Sequence, residues 1–271
     1  MGEMSGRGVT GRVVLGGLFG VLLSGPLLAD PIMDALSGGE VSANVRIRYE
    51  GASDDSARRD ADALTVRSRV GYLTGDYKGF KLFGEVEDVT ALVDDYSDGP
   101  GANPPNGNTA DSVIVDPDDT EINQIFLSYG GFEDTLIKLG RQRLILDNAR
   151  FIGNVGWRQN EQTFDAISLV NTSLPDTKIT YAYLAEAQRI FSDAAACVAS
   201  APQSACGDSE MDSHLFNASY SGFDFGKLTA YAYLLGFSDT TPGAIGPAAG
   251  SQTFGVRFAG GTPLSDGVKL L

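Results

Sequence analysis

Charged residues recur at a spacing of two: Arg46 with Arg48, Arg67 with Arg69, Glu85 with Glu87, and Arg141 with Arg143. On an extended strand, residues two apart project from one side. Each pair is then a double charge on a single face. A guanidinium stays cationic at every physiological pH and presents a planar fork of donors that fits carboxylate or phosphate oxygens. The chemistry offered is recognition of anions rather than proton transfer. Two more arginines, Arg150 and Arg158, follow in LGRQRLILDNARFIGNVGWRQNEQTFDAISL (residues 139–169), mixed with Phe151, Ile152, Val155 and Trp157. Such a gathering of positive charge stands out in a chain with 35 acidic and 20 basic residues and a formal net charge of -15.

Groups suited to catalysis are scarce. The single histidine, His214, lies beside Asp212 and Ser213, but a hydroxyl next to an imidazole is not a nucleophile with an oriented base. The chain is expected not to be an enzyme and to carry no cofactor or metal. Asp94, Asp95 and Asp98, or Asp116, Asp118 and Asp119, offer the oxygen ligands that calcium prefers. They lack EF-hand spacing and read as solvated acidic loops. Cys197 and Cys206 lie close together in a stretch rich in Ala, Ser and Asp. In an exported chain this predicts a local loop disulfide.

Export is expected from MGEMSGRGVTGRVVLGGLFGVLLSGPLLAD, where Arg7 and Arg12 precede an apolar run from Val13 to about Leu23, then Pro26. That pattern predicts a signal peptide over residues 1–29. The run is too short for a spanning helix, and no later segment approaches the roughly 20 apolar residues one needs. Cleavage after Ala29 would remove two basic residues and one acidic residue, leaving 18 against 34, or -16. This acidity argues against nucleic acid as a partner.

Residues 30–271 alternate apolar and polar side chains in segments of about ten, the pattern of strands with two different faces. VSANVRIRYE sets Val41, Ala43, Val45, Ile47 and Tyr49 against Asn44, Arg46, Arg48 and Glu50. ALTVRSRVGYLT sets Leu64, Val66, Val70 and Tyr72 against Thr65, Arg67 and Arg69. FKLFGEVED and SQTFGVRF continue the pattern, and further strands are expected near 121–129, 135–146, 162–171, 177–187, 212–220, 227–237 and from 267 onward. Links between strands alternate long and short, from ASDDSARRDAD and GDYKG through residues 93–120 and GGFED. In a membrane β-barrel every second connection is a tight periplasmic turn, while those between are outward loops free to lengthen. Tyr72, Tyr77, Phe80, Tyr129, Phe132, Tyr220, Phe223, Phe225 and Phe258 fall in or beside the short turns, as an aromatic girdle at one membrane interface requires.

The fold class that follows is all-β, an antiparallel transmembrane up-and-down barrel. With lipid on the apolar face, Arg46, Arg48, Arg67 and Arg69 enter the lumen beside Glu85 and Glu87. Ile137 and Leu139 share parity with Arg141 and Arg143, so either Gly140 carries a bulge or the strand leaves the membrane there. Residues 147–161 are expected to fold into the barrel, packing their apolar side chains on the wall and aiming Arg150 and Arg158 at the passage.

LTVRSRVGYLTGDYKGF, KLGRQRLILDNARFIGNVGWRQNEQTFDA and FGKLTAYAYLL resemble segments of the alginate export family of bacterial outer-membrane β-barrel porins. The resemblance runs from about Asp34 to Leu271, and Gly140-Arg141-Gln142 with Trp157-Arg158-Gln159-Asn160 is its most specific part. It implies an outer-membrane porin, monomeric as its family is, with lipid and lipopolysaccharide around it. Arg67, Arg69, Arg141, Arg143, Arg150 and Arg158 would line a passage for an anionic solute or an anionic polysaccharide such as alginate. Members of the family are longer. The chain stops a few residues into an apparent eleventh strand, so residues 30–271 are expected to be the N-terminal part of a larger barrel, truncated at the C-terminus. The alternative is a secreted, soluble all-β carbohydrate-binding protein, which would account for export and alternation but not for the sorted link lengths.

Overall fold

The structure is a computed structural model that describes residues 31–53, 58–99, 106–193, 195, 206–239, 244–265 and 268–270. The expected signal peptide and Cys197 lie outside the described residues. Cys206 is disulfide-bonded.

Ten antiparallel strands form one sheet in chain order, each hydrogen-bonded to its sequence neighbours. They are β1 (Glu40–Ala52), β2 (Ala61–Leu73), β3 (Phe80–Asp95), β4 (Asp119–Phe132), β5 (Thr135–Gln142), β6 (Thr163–Asn171), β7 (Thr177–Gln188), β8 (Asp208–Phe223), β9 (Gly226–Leu235) and β10 (Ser251–Gly260). Among the described residues no second sheet of comparable size is stacked on this uninterrupted meander, as a soluble sandwich would require. β1 and β10 do not pair, so the sheet is open.

Three differences from the sequence reading have physical causes. β3 runs to Asp95 and β8 starts at Asp208, because a strand that continues beyond the hydrocarbon layer no longer needs an apolar row and loses the alternation that marks it. The expected eleventh strand is instead a separate hairpin of β11 (Thr262–Ser265) and β12 (Val268–Leu270), unpaired with the main sheet. A short helix, α1 (Pro31–Ser37), precedes β1. Two turns are too few to reveal helical spacing, although proline in the first turn suits a helix start. α1 is tied to the short β2–β3 turn, since Tyr72 Oη donates to Leu36 O at 2.5 Å and Gly75 N to Ala35 O at 2.8 Å.

One face of the sheet carries Val41, Val45, Ile47, Val70, Leu82, Val86, Leu127, Leu139, Ile167, Phe254 and Val256, all exposed, with Val41 at 74%. Soluble proteins rarely expose an apolar surface this continuous. Rings from successive short turns meet along one rim: Phe80 and Tyr129 are 4.5 Å apart, Tyr129 and Phe132 5.3 Å, Tyr220 and Phe223 5.1 Å, Phe225 and Phe258 5.7 Å.

The other face, here called inner, is covered by the chain's own long links. Tyr96 and Ile114 of the β3–β4 link bury Ala61 and Ala63 of β2. Ile152 of the β5–β6 link is buried among Phe164, Ala182, Leu184, Met211, Leu215 and Tyr233.

Candidate functional site: the inner wall and the link laid on it

Strand register assembles a charge ladder on the inner face. Arg46 is opposite Arg67, and Arg69 is opposite both Asn44 and Glu87. Glu87 is wholly buried and pairs with Arg69, while Arg67 Nε lies 4.0 Å from it. Two like charges face one another at the Arg46–Arg67 rung, which is destabilising unless acceptors surround them. Arg67 donates to Asn44 Oδ1, and Arg46 turns to the link between β5 and β6.

That link, residues 143–162, lies along the ladder. Arg46 Nη1 donates to Gly156 O at 3.0 Å, Nη2 to Arg158 O, and Nε to Gln159 Oε1 at 2.7 Å. Arg48 Nη1 donates to Trp157 O at 2.9 Å and lies 3.2 Å from Asp116 Oδ2. Gln159 is fully buried; its backbone N–H donates to Asp116 Oδ1 at 2.9 Å and its side chain to Thr65 Oγ1 at 2.7 Å. Arg158 reaches Glu50 at 3.1 Å and lies 4.0 Å from the Trp157 ring centre, with Arg48 at 5.1 Å from the same ring.

Glu161 closes the far end of the link. It accepts from Arg143 Nε at 2.8 and 2.9 Å, from Asn123 at 2.8 Å and from Asn154 at 2.6 Å, and lies 3.1 Å from Arg69. Arg143 is also 3.6 Å from Glu85. Burial alone would raise the Glu161 carboxyl, but the Arg143 hydrogen bonds and the Arg69 charge outweigh it and hold it below the usual carboxylate range. At Asp116 burial wins, and its carboxyl is pushed up despite the Gln159 N–H and Arg48. Six guanidinium groups (Arg46, Arg48, Arg67, Arg69, Arg143, Arg158) thus meet five carboxylates (Glu50, Glu85, Glu87, Asp116, Glu161), with Glu121 opposite Glu87 on the same face as a sixth.

Arg158 therefore faces the wall and not open space, contrary to its expected aim. Arg150 is exposed beside Phe151 and lines a cavity of about 560 Å³ with Arg257, Tyr231 and Tyr233. Among the described residues neither Arg150 nor Arg257 has an ion-pair partner. Arg257, on the inner row of β10 opposite Thr229, had its signal in SQTFGVRF but was not singled out from the sequence.

Arg141 is the clearest correction. It lies opposite Ile125 and Asp165, one rung beyond Leu139 with Leu127 and Ile167, and so stands in the outward apolar row. Pairing runs through Gly140 without a shift, so the parity never changes. Gly140 is needed for another reason: its φ is +123°, and an added Cβ would lie 2.4 Å from Ile125 O. Arg141 forks onto Asp165 at 2.9 and 3.1 Å. Arg143 lies past the end of β5 and turns inward, so the two arginines part company.

The acidic stretches are likewise used by the fold. Asp98 accepts from Asn106 N at 2.9 Å, Asp111 binds Arg59 at 2.6 Å and Asp118 accepts from Ala91 N at 2.9 Å. Asp119, Glu121 and Asp193 have oxygens within 4.8 Å of one another, a grouping the sequence reading did not foresee and which alone designates no ion. His214 Nδ1 lies 2.9 Å from Tyr181 Oη, with no nucleophile in the pair.

A family model described as alginate export matches residues 39–264. Among solved structures, the chain is similar to Pseudomonas aeruginosa OccK8 (OprE), at 14% identity and a TM-score of 0.55, over 74% of this chain and 47% of that one. It is similar to Acinetobacter baumannii OccAB1 at 14% and 0.52, over 73% and 45%, and to Pseudomonas aeruginosa OccK9 (OpdG) at 14% and 0.52, over 74% and 51%. The chain spans about half the length of these proteins, and at such identity the likeness is one of fold. No curated protein matches it.

Proposed function

The chain belongs to the alginate export family of the bacterial outer membrane, and from that premise we propose that it forms the wall of a porin passing anionic solutes by passive diffusion. Lipid and lipopolysaccharide cover the outward apolar row, and the inner face borders water. The protein works as a monomer, and the solutes are small anions or segments of an anionic polysaccharide.

The observation that carries this reading is the balance of charge on the inner face. Around the space left by the 143–162 link, Arg150 and Arg257 outnumber the one carboxylate that lines the same cavity, Asp147, and leave it a net positive charge. Cations bordering a narrow, poorly screened aqueous space favour anions over cations. The apolar content of the 143–162 link fits the same picture, because Ile152 packs on the wall and so holds the link inside instead of extending it into bulk water.

Bilayer recordings across a salt gradient test the proposal. The reversal potential is expected to show anion preference, and Arg150→Gln with Arg257→Gln is expected to lower it. A cation-selective channel, or selectivity indifferent to those two substitutions, would overturn the assignment of an anion path.

A further inference from the structure

We infer that Arg46 and Arg48 are positioning residues that latch the 143–162 link to the inner wall by gripping three successive backbone carbonyls, those of Gly156, Trp157 and Arg158. The inference deepens the lumen reading above and rests on it, because it assigns these two cations to the shape of the passage instead of to contact with the solute.

The geometry favours a latch over a pair of pore-lining charges. Arg46 and Arg48 make five contacts with the link: four donated hydrogen bonds, to three carbonyl oxygens and the Gln159 amide oxygen, and one cation–π contact with the Trp157 ring face. A guanidinium spent on backbone acceptors and an aromatic face has few N–H groups left for a passing anion. Gly156, Trp157 and Arg158 lie in a turn and bend outside any helix or strand, so no backbone ladder takes up their carbonyls. The arginine fork supplies what regular structure would have supplied. Asp116 and Gln159 fix the latch from the other side. The Asp116 carboxylate receives the Gln159 N–H and faces Arg48, and the Gln159 side chain reaches Thr65 on β2. The β3–β4 link, β1, β2 and the 143–162 link thus meet at one point.

Replacement by lysine separates the two roles. Lysine keeps the charge, so an electrostatic contribution to selectivity survives, but its compact ammonium cannot span two or three carbonyls as the planar fork does. The chain has a single tryptophan, and it is Trp157, in the latched segment itself. Its fluorescence therefore reports seating of the link without any label.

The experiment compares acrylamide quenching of Trp157 in the parent protein, in Arg46→Lys with Arg48→Lys, and in Arg46→Ala with Arg48→Ala, all in the same detergent. A neutral quencher is required so that the charge change does not alter collision rates by itself. Trp157 is already 60% exposed, so quenching is expected to rise by less than about twofold in both variants as the link opens locally, with far-ultraviolet circular dichroism of the sheet unchanged. Equal quenching in all three proteins overturns the latch, as does a rise in the alanine variant alone, which would show that charge suffices. If the double variants fail to form the sheet, Gln159→Ala carries the same test from the opposite side with the same two outcomes. The measurement needs no ion flow, so a protein that failed to conduct would end the lumen reading and leave the latch standing or falling on its own result.

Discussion

The 143–162 link is held at two places by opposite kinds of force. Near its middle, Ile152 is 3% exposed in a cluster with Phe164, Leu184, Met211, Leu215 and Tyr233. Near its end, Gly156 to Glu161 are held by Arg46, Arg48, Asp116, Arg69 and Arg143. Apolar contact is non-directional and tolerates small displacements, so the first anchor keeps the link on the wall without fixing its path. Guanidinium forks specify donor positions, and the second anchor fixes where each peptide group stands. Between and beside them, Asp147, Ala149 and Val155 adopt φ of +54°, +59° and +50°. Non-glycine residues in that region cost about 1–3 kcal/mol each and persist only where the surroundings over-determine them, which explains why one anchor alone would not suffice.

The largest break in this comparison is expected from Glu161→Ala. It would leave Arg143 and Arg69 facing an empty position, with Asn123 and Asn154 also deprived of an acceptor. Removing one partner of a buried ionic cluster costs about 3–5 kcal/mol, toward the lower end here because Arg143 is about a third exposed. The temperature at which the folded band disappears from unboiled detergent gels should fall accordingly. Ile152→Ala should cost about 2–4 kcal/mol through lost burial and the cavity left behind. Because its anchor is the tolerant one, Trp157 quenching should change less in Ile152→Ala than in Glu161→Ala. The reverse order would show that apolar packing sets the path of the link.

Acid sharpens the same contrast. Glu161 is held below the usual carboxylate range when folded, so its contribution is complete above the ordinary pKa of about 4.3 and is lost as pH falls through the lower folded value. Asp116 has the opposite sign: burial raises its carboxyl, so protonation relieves a cost and its part of the latch is not weakened by mild acid. Titration from pH 7 downward should leave Trp157 quenching flat through the range in which Asp116 takes up its proton, with opening only below about pH 4. Opening already near pH 6 would reverse the roles of the two carboxylates.

How far the sequence disclosed this arrangement depends on range. Strand faces were readable because alternation is local: Val41 to Tyr49 and Leu64 to Tyr72 face outward as their spacing requires, and the Arg46, Arg48, Arg67 and Arg69 row follows from it. The partners of those arginines were not readable. Arg46 meets Gly156 across 110 residues, and backbone carbonyls carry no residue signature. Asp116 read as a member of a solvated acidic loop, and Glu161 was not singled out. For Glu161 a signal existed, since it is a lone carboxylate ending an apolar, arginine-rich stretch. Asp116 had none, lying among Asp111, Asp118 and Asp119, and only the fold separates the buried one from its neighbours.

The smallest effect belongs to Arg141, which the family resemblance placed in the passage, and to its partner Asp165. Arg141 and Asp165 lie at the outer ends of β5 and β6, in the apolar row, and are 25% and 31% exposed. Ion pairs that exposed contribute about 0–1 kcal/mol, so Arg141→Leu together with Asp165→Leu should be close to neutral in thermal unfolding. The single substitution Arg141→Leu should be worse than the double one, because it leaves Asp165 unpaired opposite Glu186, where like charges repel. A guanidinium in the outward row cannot attract an anion travelling along the inner one. The double variant should therefore keep the reversal potential of the parent, in contrast to Arg150→Gln with Arg257→Gln. A drop in anion preference from the double leucine variant would mean that Arg141 reaches the passage after all, and that β5 changes face within the membrane where its pairing is continuous.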